Sequence, residues 1–200
     1  MEGKLILIFT RNPELGKVKT RLAASIGNEN ALEIYKFLLN HSEKIVSQVN
    51  ATRRVLYSEE INTNDIWNNQ LFQKKLQFGN DLGEKMQNAF ADGFIDGFKK
   101  IVIIGTDLYD LEVSDIENAF LALETHNVVI GPAEDGGYYL LGLRHIPENI
   151  FSNKKWSTAS VLKDTLNDIQ NLKYHLLETK NDIDTIDDIK NIPIFQKYLK

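Results

Sequence analysis

Residues 4–21 read KLILIFTRNPELGKVKTR, and this stretch decides the fold class. Lys4 to Phe9 is a nearly continuous apolar run that stops at strand length. A run this short, apolar at successive positions, is the pattern of a central parallel strand covered on both faces. The character then changes. Thr10 to Arg21 holds Arg11, Lys17, Lys19 and Arg21 against the single acid Glu14, a local charge of +3 in a chain of net charge −5. Positive charge at the carboxyl end of a strand, entering a helix, suits an anionic ligand, because backbone N–H groups and the helix dipole add to it. Arg11, Lys19 and Arg21 are the candidate phosphate ligands, Lys19 first. The loop is not a P-loop, since G-x-x-x-x-G-K-[ST] needs glycine where Pro13 and Val18 stand. The plainer alternative is a solvated basic loop that caps a helix.

Working outward, helix is expected from about Val18 to Val49, with Ala31, Ile34, Tyr35, Leu38 and Leu39 forming a core-facing stripe and Asn28 as an N-cap. Thr52 to Tyr57 reads as a strand. Glu59 to Gln70 reads as loop plus a short helix, and Lys75 to Phe78 as a short strand. A helix is expected over Asp81 to Phe98. Lys100 to Gly105 (KIVIIG) repeats the first strand's pattern, and a helix follows over Val113 to Glu124. Strands are expected at Asn127 to Gly131, Tyr138 to Leu143 and Lys173 to Leu177, with helices over Thr158 to Ile169 and from Thr185. Strands alternating with helices argue for an α/β fold with a mostly parallel sheet. A length of 200 residues fits one domain over residues 1–200.

Bulk composition narrows the function. There is no cysteine, which excludes a disulfide framework, a thiolate metal site and a cysteine nucleophile. An acidic chain is a poor general nucleic-acid binder, because that affinity comes mostly from phosphate neutralisation by Lys and Arg. No apolar run approaches the ~18 residues of a membrane span. Met1-Glu2-Gly3-Lys4 leads straight into the first strand without a secretory pattern, so a cytoplasmic protein is expected. Oligomeric state is not legible.

Three acidic segments follow strand-like runs or precede a helix. Ile101 to Asp107 reads IVIIGTD, with Asp107 where a strand ends. A carboxylate there suits Mg²⁺ or Mn²⁺, hard ions that share ligands with substrate phosphates; the alternative is a cap on the next turn. Gly131 to Tyr139 reads GPAEDGGYY. Gly136 and Gly137 permit a sharp turn and close backbone approach to a substrate. Glu134 or Asp135 is a candidate general base toward an acceptor hydroxyl; the alternative is a hairpin turn with solvated acids. Asn181 to Asp188 reads NDIDTIDD. Thr185 and Asp188 approximate a capping box, leaving Asp182 and Asp184, on one side of an extended segment, as candidate metal ligands. Trp156 reads mainly as a core anchor, with Ser157 or Thr158 capping the next helix. His41, His126, His145 and His175 have no ligand spacing.

Together these motifs resemble a bacterial family of glycosyltransferase-like proteins, the selenium-domain-associated type within the nucleotide-diphospho-sugar transferase superfamily. Phe9 to Pro13 with Gly16 and Lys19 to Leu22 resembles its opening motif, and Gly79-Asn80-Asp81-Leu82-Gly83-Glu84 its second. Gly105 to Asp107, Gly131 to Tyr139, and Asp182 to Thr185 with Asp187-Asp188 resemble the others, in order, from about Lys4 to Ile189. The resemblance implies the glycosyltransferase A-type fold, a single three-layer α/β/α domain. It also implies kinship with guanylyltransferases acting on molybdenum cofactor and 2-phospholactate. It adds Thr10, Gly16 and Asp81 to the nucleotide-binding candidates and makes Asp107 the metal ligand, with Asp182 or Asp184 second. Tyr109 stands where the third motif usually has proline, and the L-A-A-G-x-G-x-R-M signature of sugar nucleotidyltransferases is absent. The expected partners are a nucleotide or nucleotide-sugar and a small-molecule acceptor. The leading expectation is metal-dependent glycosyl transfer from a nucleotide-diphospho-sugar. Nucleotidyl transfer to a small phosphorylated acceptor is second, and non-catalytic nucleotide-sugar binding third.

Overall fold

In strand β1 (Lys4–Thr10), Leu5 and Leu7 face one side and Ile6 and Ile8 the other, and all four are fully buried. A strand apolar on both faces needs a layer on each side, and the computed structural model, which describes residues 3–199, supplies both. The expectation placed on Met1-Glu2 lies outside the described residues. The sheet contains β2 (Thr52–Tyr57), β3 (Gln73–Leu76), β4 (Lys100–Ile104), β5 (Val128–Pro132), β6 (Tyr138–Leu143) and β7 (Tyr174–Leu176) in the order β3-β2-β1-β4-β6-β5-β7. β2 and β4 both pair parallel to β1, β3 parallel to β2 and β7 parallel to β5; β6 runs antiparallel to both β4 and β5.

One face packs against α2 (Asn28–Gln48) and α4 (Val113–Ala122), through Tyr35, Leu39, Ile116 and Phe120. The other packs against α3 (Leu82–Ile95) and α5 (Val161–Asp168), through Met86, Phe90, Leu162 and Leu166. A third cluster joins Leu22 of α1 (Thr20–Ile26) and Ile34 and Leu38 of α2 to the C-terminal region. There, Ile189 of α6 (Ile186–Ile189) and Phe195 of a terminal 3-10 helix (Pro193–Tyr198) complete it. This is the expected three-layer α/β domain. Among the described residues no helix is long and apolar enough to cross a membrane.

Several boundaries differ from the sequence reading. The helix expected over 18–49 is two helices, because Gly27 sits at φ 84 and turns the chain. Asn28 is therefore the first helical residue, and Gly27 occupies the cap position without a side chain to accept a first-turn amide. No helix forms within 59–70. Asp65 and Asn68 instead bond backbone amides two residues ahead, holding the segment in turns. β3 begins at Gln73 because its register is set by β2, Arg54 opposite Gln73 and Tyr57 opposite Leu76. The helix expected from Thr158 starts at Val161, since Ser157 adopts φ 62.

The chain leaves β1 toward β2 and β3, then returns to place β4 on β1's other side. The carboxyl ends of β1 and β4 thus flank a topological switch point, where open α/β sheets form their ligand crevice.

Candidate functional site

Two adjoining hollows of about 440 and 470 Å³ open over that switch point and share Arg11, Tyr35, Leu82, Gly105 and Asp107 in their walls. They are one cleft with two arms.

Lys19 decides its electrostatics. It has φ 49 and ψ 44, in the left-handed region that non-glycine residues seldom occupy. Its side chain is 5% exposed and its Nζ lies 3.0 Å from Asp107 Oδ1. The unusual backbone turns an ammonium inward, under the cleft, instead of outward along α1. Asp107, two residues past the loop entry at Gly105, is 45% exposed and faces the opening.

The C-terminal segment completes the wall. Asp182 bridges antiparallel to Leu108, and the Ile183 N–H donates to the Asp107 carbonyl at 3.0 Å. Buried Ile183 anchors the segment in the third cluster, leaving Asp182 and Asp184 to line the cleft. Burial pushes the Asp182 carboxyl above the ordinary aspartate value, and the charges of Asp135 and Asp107 push it further, while Lys19 pulls it down. Arg21 donates from Nη1 to Asp184 Oδ2 at 2.9 Å.

The β5–β6 hairpin carries Asp135 into the same cleft. Its Oδ1 accepts the Gly137 N–H at 2.8 Å, which holds the carboxylate in place. Gly136 has φ 87 and passes so near Ala159 that a Cβ would stand 2.3 Å from its carbonyl oxygen.

Of the phosphate-binding candidates, Arg11, Lys19 and Arg21 line the cleft, and Thr10 lines one arm with its side chain buried. Gly16 does not line it; it turns the loop at φ 77. Asp81 caps α3, accepting the Glu84 N–H at 2.9 Å, and is not among the lining residues. Of the acidic pair, Asp135 lines the cleft and Glu134 does not. Glu134 is exposed, and its N–H donates to the Lys180 carbonyl. Gly137 lines the cleft and Gly136 shapes the turn behind it. Asp107, Asp182 and Asp184 share one wall, yet among the described residues no three His, Asp or Glu side chains converge as a ready-made metal-ligand set.

Residues read as packing also belong to the site. The Tyr35 hydroxyl accepts the Arg11 N–H at 2.9 Å, donates toward the Arg11 carbonyl at 3.1 Å and lies 3.5 Å from Thr106 Oγ1. It ties the loop after β1 to the loop after β4. Burial raises its pKa, and the nearby Asp107 charge adds to the rise. In sequence Tyr35 is one more member of a helical stripe, with no local sign that its hydroxyl reaches the strand ends. Trp156 is partly buried and lines one arm, so it is a cleft wall as well as a packing residue. Tyr109, where the family pattern usually has proline, stacks with Phe37 and meets Phe195 edge-on at 5.3 Å. Aromatic packing thus restrains the turn after Asp107.

A family model described as "Uncharacterized protein conserved in bacteria (DUF2064)" matches residues 41–158. No curated protein matches the chain. Among solved structures, the chain is similar to a candidate nucleotide-diphospho-sugar transferase from Desulfovibrio desulfuricans. That match has TM-score 0.85 and 29% identity and covers 100% of this chain and 93% of that one. It is also similar to a cytidylyltransferase from Leptospira borgpetersenii, with TM-score 0.62, 15% identity and 93% and 83% coverage. A 4-diphosphocytidyl-2C-methyl-D-erythritol synthase from Anaerococcus prevotii aligns with TM-score 0.61, 11% identity and 98% and 95% coverage. With these last two the shared property is the fold.

Proposed function

The chain belongs to the DUF2064 family of proteins conserved in bacteria, and from that premise we propose that it is a metal-dependent transferase that uses a nucleotide-diphospho-sugar and moves the glycosyl group to a small-molecule acceptor. The observation that carries this reading is the buried Lys19 ammonium 3.0 Å from Asp107, at the switch point of the sheet. A cation and a carboxylate held together beneath an open cleft suit a diphosphate and its counter-ion.

The donor chemistry fits Mg²⁺ or Mn²⁺. Asp107 and Asp182 offer hard oxygens from two adjacent backbone segments. A small divalent ion needs only one or two protein carboxylates when substrate phosphates and water supply the rest. When bound, the ion would neutralise charge on the diphosphate leaving group. Lys19, with three N–H donors, can face Asp107 and a phosphate oxygen together. Arg11 is exposed at the cleft, where its guanidinium would meet the nucleotide phosphates. Arg21 stands paired with Asp184 at the rim.

Asp135 is the proton acceptor in this scheme. The acceptor hydroxyl oxygen forms a bond to the anomeric carbon and its proton passes to an Asp135 oxygen. The bond from the anomeric carbon to the diphosphate oxygen breaks, and its electron pair leaves with the nucleoside diphosphate. Lys19 stabilises that developing charge, a contribution available because it is already oriented and desolvated.

A second reading, nucleotidyl transfer to a small phosphorylated acceptor, is favoured by the fold shared with the cytidylyltransferase and by the implied kinship with guanylyltransferases. The same residues would serve, with pyrophosphate as product. The deciding measurement is melting temperature against nucleoside diphosphates, triphosphates and nucleotide-sugars, with and without Mn²⁺. A ligand specific to the folded state adds about 2.7 kcal/mol at 100 times its Kd. A Mn²⁺-dependent shift shared by one diphosphate and its sugar conjugate, lost in Asp107→Asn, is the expected result. A shift confined to one triphosphate selects nucleotidyl transfer. No shift with any nucleotide overturns both.

A further inference from the structure

The strand-end motifs leave one part of the cleft unexplained. The arm beyond Asp107 is walled by Leu82, Met86, Tyr138, Trp156 and Val161, an apolar surface in an otherwise polar opening. Leu82 is 40% exposed there although it opens a helix beside the core.

The indole of Trp156 rests directly on Gly83. A Cβ at Gly83 would stand 2.5 Å from Trp156 Nε1 and 2.6 Å from Cε2 and Cζ2. Gly83 lies inside the first turn of α3 and is not among the positive-φ residues, so the backbone does not demand glycine. Glycine is, after proline, the least favourable helix residue, and the close approach of the Trp156 indole leaves no room here for a Cβ.

The segment behind the ring is fixed. Ser157, the next residue, is held at φ 62, and Thr158 Oγ1 donates back to the Lys155 carbonyl at 2.7 Å. The Leu162 N–H donates to the Gly136 carbonyl at 2.9 Å, and Gly136 presses on Ala159. The stretch carrying Trp156 therefore grips the hairpin carrying Asp135. An indole and a carboxylate that both line the cleft are thus held on segments bonded to each other.

The charges say what such a surface accepts. The described cations lining this arm, Arg11, Lys19 and Arg21, come from the loop after β1 and the start of α1. The segments around Trp156 contribute Asp135 to the lining of this arm, and the α3 cation Lys85 lines the other arm. A second phosphate or a carboxylate resting on the indole would meet an apolar wall and a like charge. A neutral ring with one C–H face and hydroxyls at its edge would satisfy both. The electron-rich face of an indole attracts polarised C–H groups, and Asp135 lines the same arm, where it can accept from hydroxyls.

We propose that Trp156, seated on Gly83, is the platform that holds the glycosyl group of the donor, and that this group is an uncharged sugar ring. The inference rests on the nucleotide-sugar reading above and adds to it the class of sugar and the residues that select it.

The test compares matched pairs, UDP with UDP-glucose and GDP with GDP-mannose, by calorimetry in Mn²⁺, on wild type, Trp156→Ala and Gly83→Ala. Gly83→Ala keeps the tryptophan, suits a helix and crowds the ring first, so it guards against misfolding of the first variant. Both variants are expected to weaken the sugar conjugate about tenfold while the free diphosphate changes less than about twofold. Equal loss of both ligands would mean that the ring serves the base or the whole cleft, and it overturns the platform alone. So does loss of neither. Wild-type protein that binds none of the four and whose melting temperature shifts with no other nucleotide-sugar overturns the nucleotide-sugar reading together with the platform.

Discussion

Lys19 combines two features that sequences usually keep apart: a left-handed backbone and a buried charge. A non-glycine residue in that conformation costs about 1 kcal/mol or more, and a buried ammonium needs a partner. Asp107 supplies the partner at 3.0 Å, and the backbone turn is what aims the side chain at it. Strain tolerated in placing a buried charge supports the role proposed for Lys19. Lys19→Met keeps the length and apolar stem but removes the charge. It is expected to slow release of nucleoside diphosphate about 100-fold, with the melting temperature close to wild type because Asp107 stays hydrated. Initial rates beside a thermal melt check this, and an unchanged rate removes Lys19 from the mechanism.

At the scale of the element, the C-terminal acidic run shows one stretch divided between structure and site. Thr185 and Asp188 form the capping box of α6, so these residues are spent on starting a helix. Burial pushes the Asp188 carboxyl up. Hydrogen bonds from Asn181, the amides of Asp184 and Thr185 and the Thr185 hydroxyl outweigh it, so its pKa lies below the ordinary value. A folded-state pKa below the unfolded one contributes stability that is complete above the unfolded value, about pH 4, and lost as pH falls through the folded value. Asp188→Asn is therefore expected to cost about 1 kcal/mol at neutral pH and progressively less in acid. Urea midpoints of both proteins at pH 7 and near pH 3 test the sign; a gap that widens in acid contradicts it. This cap was legible from Thr185 and Asp188 because capping is local. The break at Gly27 is legible only through Asn28 as an N-cap, and the structure moves the cap one residue earlier, to Gly27. An apolar stripe continues across it, and only the backbone at φ 84 separates α1 from α2.

Across the whole molecule, the site depends on the chain's far end. Phe195 is fully buried, lies 5.3 Å from both Phe37 and Tyr109 and shares a cluster with Ile183, whose neighbours are Asp182 and Asp184. Phe195→Ala is expected to cost about 3–5 kcal/mol of stability and to weaken nucleotide binding through the loosened Asp182 segment, measured by urea unfolding and calorimetry together. Full binding in a folded variant would separate the terminus from the cleft. By itself the sequence determined the α/β class, the buried strands, the positions of Arg11 and Asp107 just beyond the ends of β1 and β4, and Lys19 at the entry to the helix that follows. Those follow from continuous apolar runs and from the residues next to them. Tertiary structure alone decided that β6 inserts antiparallel between β4 and β5, which brings Asp135 and not Glu134 to the cleft. It also decided that Asp182 lies against Asp107 and that Tyr35 and Trp156 are walls of the site. The physical reason is range: periodicity and capping act between near neighbours, whereas these placements come from pairings between residues far apart in the chain, which no local pattern encodes.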